Sequence, residues 1–210
     1  MTGSELIAYT RTLLADSTEP YLWSDDFLLT ALQEAERLFC MRTHLNVGEE
    51  SVTTAADSST YALPENTLKV VFAHIGATPV DRLTAPSSTV YLRSARGKPT
   101  GYVTGFPTRN VTFYPTPDAA YIVDLIIAAL PEEGFGASDD PVVPAEWQLL
   151  LADFAAHKAL ITNDVDGNNV GTATTFMQRW ELGVLEAKRM DYLLRTSPRA
   201  PLRSWTGGKR

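Results

Sequence analysis

The stretch Asn110-Val111-Thr112-Phe113-Tyr114-Pro115-Thr116-Pro117-Asp118-Ala119-Ala120-Tyr121-Ile122-Val123-Asp124-Leu125-Ile126-Ile127 sets short β-branched and aromatic runs on either side of a proline-containing turn. Such side chains favour extended chain because they pack well on a pleated surface. In Thr116-Pro117-Asp118, proline presets φ and the aspartate can hydrogen-bond back to the backbone. Residues 110–115 and 120–127 are therefore expected to form two antiparallel strands joined across that turn. Upstream, Ser51-Val52-Thr53-Thr54, Ser59-Thr60-Tyr61-Ala62-Leu63 and the run from Leu68 to Ile75 have the same character. A β-rich region is thus expected over residues 50–131, with a short helix at Ser87 to Arg96 ended by Gly97 and Pro99.

Outside that region the period changes from two to about 3.6. Ser24 stands before Asp25 and Asp26, an oxygen acceptor for free amides followed by acids at the positive end of a helix dipole. Leu28, Ala31, Leu32, Ala35, Leu38 and Phe39 then recur on one face, which predicts a helix over 24–45. A first helix is expected over 4–15, with Ser4 as its cap, and Asp16 to Pro20 reads as a loop. Downstream, the glycine-containing acidic loop from Glu132 to Asp140 leads to a helix over 144–162. That helix opens on Pro144, where a missing N–H does no harm. A last helix over 172–195 carries Phe176, Trp180, Gly183, Ala187, Met190 and Leu194 on one face. The expected class is α+β: a helical bundle built from the N- and C-terminal helices, with a central β-rich insertion, in a single domain over 1–195. Residues 196–210, with Pro198, Pro201, Gly207 and Gly208, are expected to be a flexible basic tail.

The 210 residues are 44% hydrophobic and 10% aromatic, the composition of a folded chain. The only cysteine, Cys40, cannot form an internal disulfide and fits as a small buried hydrophobe. Met1 to Leu14 lacks the basic start and apolar run of a signal peptide, and Leu125 to Leu130 is too short to cross a bilayer. A cytoplasm-like compartment and no membrane are expected. Charge is unevenly spread. Of a net −7, the segment from Lys188 onward carries +6, so the body carries −13. An acidic body repels phosphates, whereas a basic tail seeks an acidic partner surface or nucleic acid.

Residues suited to catalysis are scattered. His44, His74 and His157 lie in different expected elements, outside any HExxH spacing. There is no GxSxG elbow, GxGxxG or GxxxxGK[ST]. Asn163-Asp164-Val165-Asp166-Gly167-Asn168-Asn169 imitates a calcium loop, but alignment on Gly167 puts Thr162 at the first ligand position and Ala173 at the twelfth. A helix–helix turn demands the same Asp, Asn and Gly residues. No metal, no cofactor and no enzymatic activity are expected. Trp23, Trp147 and Trp180 fall on apolar helix faces, whereas Trp205 sits in the basic tail, where it reads as a partner anchor or as incidental.

The opening Leu6-Ile7-Ala8-Tyr9-Thr10-Arg11-Thr12-Leu13-Leu14-Ala15-Asp16, then Tyr21-Leu22-Trp23-Ser24-Asp25-Asp26-Phe27-Leu28-Leu29, resembles the start of tailed-phage head-to-tail adaptor (connector) proteins. That family includes tail tubular protein A of podoviruses. Gly97-Lys98-Pro99-Thr100-Gly101-Tyr102 and Val111 to Tyr121 are similar to its middle pattern, and the order and spacing of these pieces carry the resemblance. It implies a structural virion protein in the phage neck, forming a ring, usually dodecameric, below the portal. Such a ring extends the DNA channel, lets genomic DNA pass without sequence-specific binding, and presents a platform for tail or nozzle proteins. The resemblance further implies that the C-terminal segment reaches the portal protein, with Arg195, Arg199, Arg203, Trp205 and Arg210 as the expected docking residues. The β region would then meet ring neighbours or the tail.

Overall fold

The computed structural model describes residues 1–83, 95–105, 109–162 and 169–196, with side chains as far as Met190. Helix α1 spans Gly3–Leu13 and α2 spans Asp25–Thr43. Eight strands follow: β1 Val47–Thr53, β2 Thr60–Ala62, β3 Thr67–Ile75, β4 Thr78–Pro79, β5 Asp81–Arg82, β6 Gly101–Gly105, β7 Asn110–Tyr114 and β8 Ile122–Ala129. After a 3₁₀ turn at Ala145–Trp147 come α3, Gln148–Thr162, and α4, Val170–Thr196. The expected α+β class is what the structure has, with the β-rich part inserted between two helical pairs. The short helix expected at Ser87 to Arg96 lies almost wholly outside the described residues, as does the turn 163–168.

Helix starts follow local chemistry. Ser24 caps α2 by accepting from the Phe27 amide at 3.2 Å, as expected. The cap of α1 is Thr2, not Ser4. Thr2 Oγ1 accepts from the Glu5 amide at 3.3 Å and Glu5 Oε2 accepts from the Thr2 amide at 3.0 Å, a reciprocal capping box. Glu5 gives Thr2 the return partner that Ser4 lacks. The Ser4 hydroxyl instead donates to the Ala137 carbonyl at 2.8 Å, fastening the acidic 132–140 loop to the start of α1.

The strands form two sheets, β1-β8-β3-β4 and β2-β7-β6-β5. Strands β7 and β8 are not partners across a hairpin. They stand in different sheets, β7 between β2 and β6, and β8 between β1 and β3. The intervening segment spends its backbone groups elsewhere. The Thr116 amide donates to Ala95, the Asp57 amide to Pro117, and the Thr54 amide to Tyr121. Pro115 and Pro117 have no N–H to give a ladder. Stacking the two sheets also lets Val111 and Phe113 of β7 and Val123, Leu125 and Ile127 of β8 bury in one shared apolar layer.

A second apolar cluster holds the helices together, and α3 is its centre. Leu151, Ala152, Asp153, Phe154, Ala155 and Ala156 are six consecutive buried residues, because α3 packs against α1, α2 and α4 at once. Trp180 of α4 is fully buried and meets Phe39 of α2 edge-on at 6.2 Å and Phe154 of α3 at 5.3 Å. Trp23 is buried and Trp147 half-buried at this core, as their faces predicted, and Cys40 is buried there too.

Candidate assembly surfaces

Helices α3 and α4 form an antiparallel pair whose register is fixed along its length. His157 Nδ1 lies 2.8 Å from the Ala173 carbonyl, Arg179 Nη2 lies 3.1 Å from Asp153 Oδ1, and Phe154 meets Trp180 with its ring tilted by 56°. At Gly183 a Cβ would sit 2.4 Å from the Leu150 side chain, so the absent side chain lets the helices close. Helix α3 has 15 residues and α4 has 27. At 1.5 Å per residue these are about 22 and about 40 Å long, so α4 outruns its partner at its C-terminal end. Ala187 is buried, and the next three residues, Lys188, Arg189 and Met190, are all exposed. The basic segment read from the sequence thus begins at these exposed residues. Of the expected docking residues, Arg195 falls in the last turns of α4, and Arg199, Arg203, Trp205 and Arg210 lie outside the described residues.

Further back, α4 carries apolar residues on a flank turned away from the core. Leu182 is 67% exposed and Leu185 61%, and Val170 near the start is 56%. Leu182 borders an open hollow of about 410 Å³ with Thr174, Met177, Gln178 and Glu181.

The β1-β8-β3-β4 sheet also has an uncovered face. In β8, Val123, Leu125 and Ile127 point into the core, so Ile122, Asp124 and Ile126 point outward. The register sets Phe72 of β3 and Glu49 of β1 opposite Ile126, and His74 and Ser51 opposite Asp124. Phe72 is 44% exposed and Ile122 61%, with Val47 at 44% on the same side. Ser51 Oγ donates to Asp124 Oδ1 at 2.7 Å, and His74 Nδ1 stands 3.8 Å from Asp124 Oδ2. Phe72 leans on the His74 ring at 5.8 Å.

The histidines stay apart: His44 caps α2 in the left-handed region, His74 is on the sheet, and His157 is on α3. Among the described residues, no three His, Cys, Asp or Glu side chains are placed to hold a metal ion. Nor is any helix long and apolar enough to cross a membrane among those residues. The acidic body shows as two neighbouring grooves. One, of about 440 Å³, is lined by Glu49, Glu50, Glu132 and Glu133, and the other, of about 310 Å³, by Glu34, Glu36, Glu132 and Glu133.

Three polar groups that the sequence did not single out hold the helical layer. Arg11, buried, donates to Asp16 Oδ2 at 2.7 Å, to Asp25 Oδ1 at 2.6 Å and to the Trp23 carbonyl at 2.8 Å, with Tyr21 over its guanidinium at 3.7 Å. Glu36 is 1% exposed and accepts from the Val142 amide at 2.7 Å; burial raises its pKa. Burial likewise pushes the Asp153 carboxyl up to about 6, against the lowering pull of Arg179. The signal for Asp153 was a lone acid in the apolar run from Leu149 to Ala156.

The Arg11 cluster accounts for the opening motif. Arg11, Asp16, Tyr21, Trp23 and Asp25, five of the polar and aromatic members of the stretch that resembles phage adaptors, clasp the α1–α2 connection. No match is found among the curated proteins. Residues 1–204 match the family model described as SU10 adaptor protein, and the chain belongs to that family of phage head-tail adaptors.

Proposed function

We propose that this chain is a structural, non-enzymatic virion protein of the phage neck, acting as one copy in a ring below the portal. The ring, dodecameric in the adaptors the sequence resembles, extends the DNA channel and carries the tail or nozzle. The portal protein, tail proteins and ring neighbours are its partners, and genomic DNA passes through without sequence-specific contact. The observation that carries this reading is on α4, where exposed Lys188 and Arg189 follow buried Ala187 and the charge turns from −13 on the body to +6 on the end segment. An exposed basic helix segment suits docking on an acidic partner surface, since opposite charge steers encounter and fixes register. Arg195, Arg199, Arg203, Trp205 and Arg210 are the proposed docking residues. Trp and Arg are the side chains that most often dominate such contacts.

The test mixes the protein with the portal of the same phage and images the particles by electron microscopy, beside a chain truncated after Thr196. A ring seated on the portal by the full chain and lost with the truncation is the expected result. Portal particles left unchanged at high concentration of the full chain overturn the portal role.

A further inference from the structure

We infer that the two adjoining acidic grooves form one docking surface, and that the basic segment 197–210 of the same chain occupies it while no partner is bound. Exposed Glu132 and Glu133 line both grooves. Glu49 and Glu50 of β1 line one, and Glu34 and Glu36 of α2 the other. Among the described residues, Glu49, Glu50, Glu132 and Glu133 have no ion-pair partner. Two bases stand against these six carboxylates, Arg37 in the α2 groove and Lys158, which pairs with Glu34. Glu36 is the most buried of the six, 1% exposed, and the Val142 amide on its Oε1 is its single hydrogen bond among the described residues. A buried carboxylate whose second oxygen lacks a donor is open to one supplied from the groove. The walls are also apolar. Val142 is 49% exposed and joins Leu130, Pro131 and Pro64 in lining the larger groove.

Charge and reach select the chain's own end segment as the occupant. Residues 197–210 carry Arg199, Arg203, Lys209 and Arg210 and no acid, with Leu202 and Trp205 among them. Cationic and apolar groups thus lie together on the segment as carboxylates and apolar walls do in the groove, the complementarity that fixes register. At about 3.3 Å per residue the segment spans up to about 46 Å, against a radius of gyration of about 16 Å for a compact body of this size. It can therefore reach the groove from the end of α4 at Thr196. Tethering raises its local concentration to about the millimolar range, which favours the same chain over a second copy. Portal docking would then exchange one acidic surface for another. That exchange rests on the portal reading, whereas the groove contact does not.

Trp205 reports the contact on the intact chain, its emission taken as the difference between that chain and Trp205→Phe. At low ionic strength Trp205 is expected to emit to the blue of a free peptide of residues 197–210 and to be quenched less by acrylamide. Glu132→Lys with Glu133→Lys, both at exposed positions, is expected to restore the peptide's emission and quenching while leaving the circular dichroism spectrum unchanged. Emission and quenching that match the free peptide in the unaltered chain overturn the contact. Shielding that survives the two lysines overturns the groove as its place. Shielding lost on dilution assigns the segment to another copy and overturns the own-chain arrangement. All three leave the portal reading standing, because that is read separately from rings imaged on the portal.

Discussion

Arg11 is a charge placed where a charge is expensive, and its three acceptors explain why it is tolerated. Arg11 is 7% exposed, and Asp16, which it binds, also accepts from the Leu22 amide at 2.9 Å. Removing one member of a buried pair leaves the other uncompensated, which costs about 3–5 kcal/mol. Arg11→Ala is therefore expected to lower unfolding stability by about 3 kcal/mol or more in urea titration. Arg11→Lys is expected to restore only part, because an ammonium cannot reach all three acceptors in a fork. Asp153 is the opposite case, a carboxyl whose burial outweighs its partner, Arg179, which is half-exposed. Its pKa is 3.8 when unperturbed and about 6 in the fold. Because the folded value is the higher one, this group's stabilisation is complete below about pH 4 and is lost as pH rises through about 6. Glu36, also raised, acts in the same direction. The Asp153 displacement corresponds to about 3 kcal/mol, and Asn would leave Arg179 without a counter-charge, so Asp153→Asn is expected to gain about 1–2 kcal/mol at pH 7. At pH 4 it is expected to gain almost nothing. Urea midpoints at the two pH values check this, and equal gains at both would show that burial of the charge is not the cause.

Elements differed in how far local chemistry declared them. Helix α2 was legible to within two residues because its cap, its dipole acids and its apolar period agree, and such agreement between levels is what specifies an element. The strands were legible as extended chain, but their partners were not. The 110–127 stretch has the pattern of a hairpin, and only the competition for the backbone groups of 115–121 and the shared core between the sheets separate β7 from β8. Strands β4 and β5, two residues each, and glycine-bounded β6 carry too little side-chain pattern to be read alone. At the candidate surfaces the charge of the C-terminal segment was visible from the start. Leu182 and Leu185 lie off the apolar face read from the sequence and are exposed. Met190, read on that face, is exposed as well, because helical period alone does not say where the neighbouring helix stops covering it. The same pairing makes Gly183 a packing residue. Gly183→Leu would drive a branched side chain into Leu150 and spread α3 from α4, an overpacking that costs about 1–3 kcal/mol. Helix propensity alone argues the reverse, because glycine is the weaker helix former by about 1 kcal/mol. A lowered melting temperature is thus expected, and a raised one would mean that Leu150 swings away freely.

At the scale of the whole molecule the separation of charge sets what affinity for DNA the chain can have. The ring proposed above would have to let DNA pass without gripping it; a body at −13 repels phosphates, yet seven of the 18 basic side chains crowd into the last 23 residues. Any affinity for DNA should therefore reside in that segment and depend on counterion release, which falls steeply with salt. The expectation is weak, sequence-independent retention of duplex DNA at low ionic strength that vanishes by about 0.15 M salt, where the Debye length is about 8 Å. It should vanish at all salt concentrations in a chain truncated after Ala187. Portal association is expected to persist at that salt, since buried Trp and Arg contacts are screened far less than exposed ones. Filter binding of a random duplex across a salt series, beside portal pull-down in the same buffers, separates the two. DNA affinity that survives both the salt and the truncation would place the nucleic-acid contact on the acidic body. It would make the protein a DNA-binding subunit and not a smooth-walled adaptor.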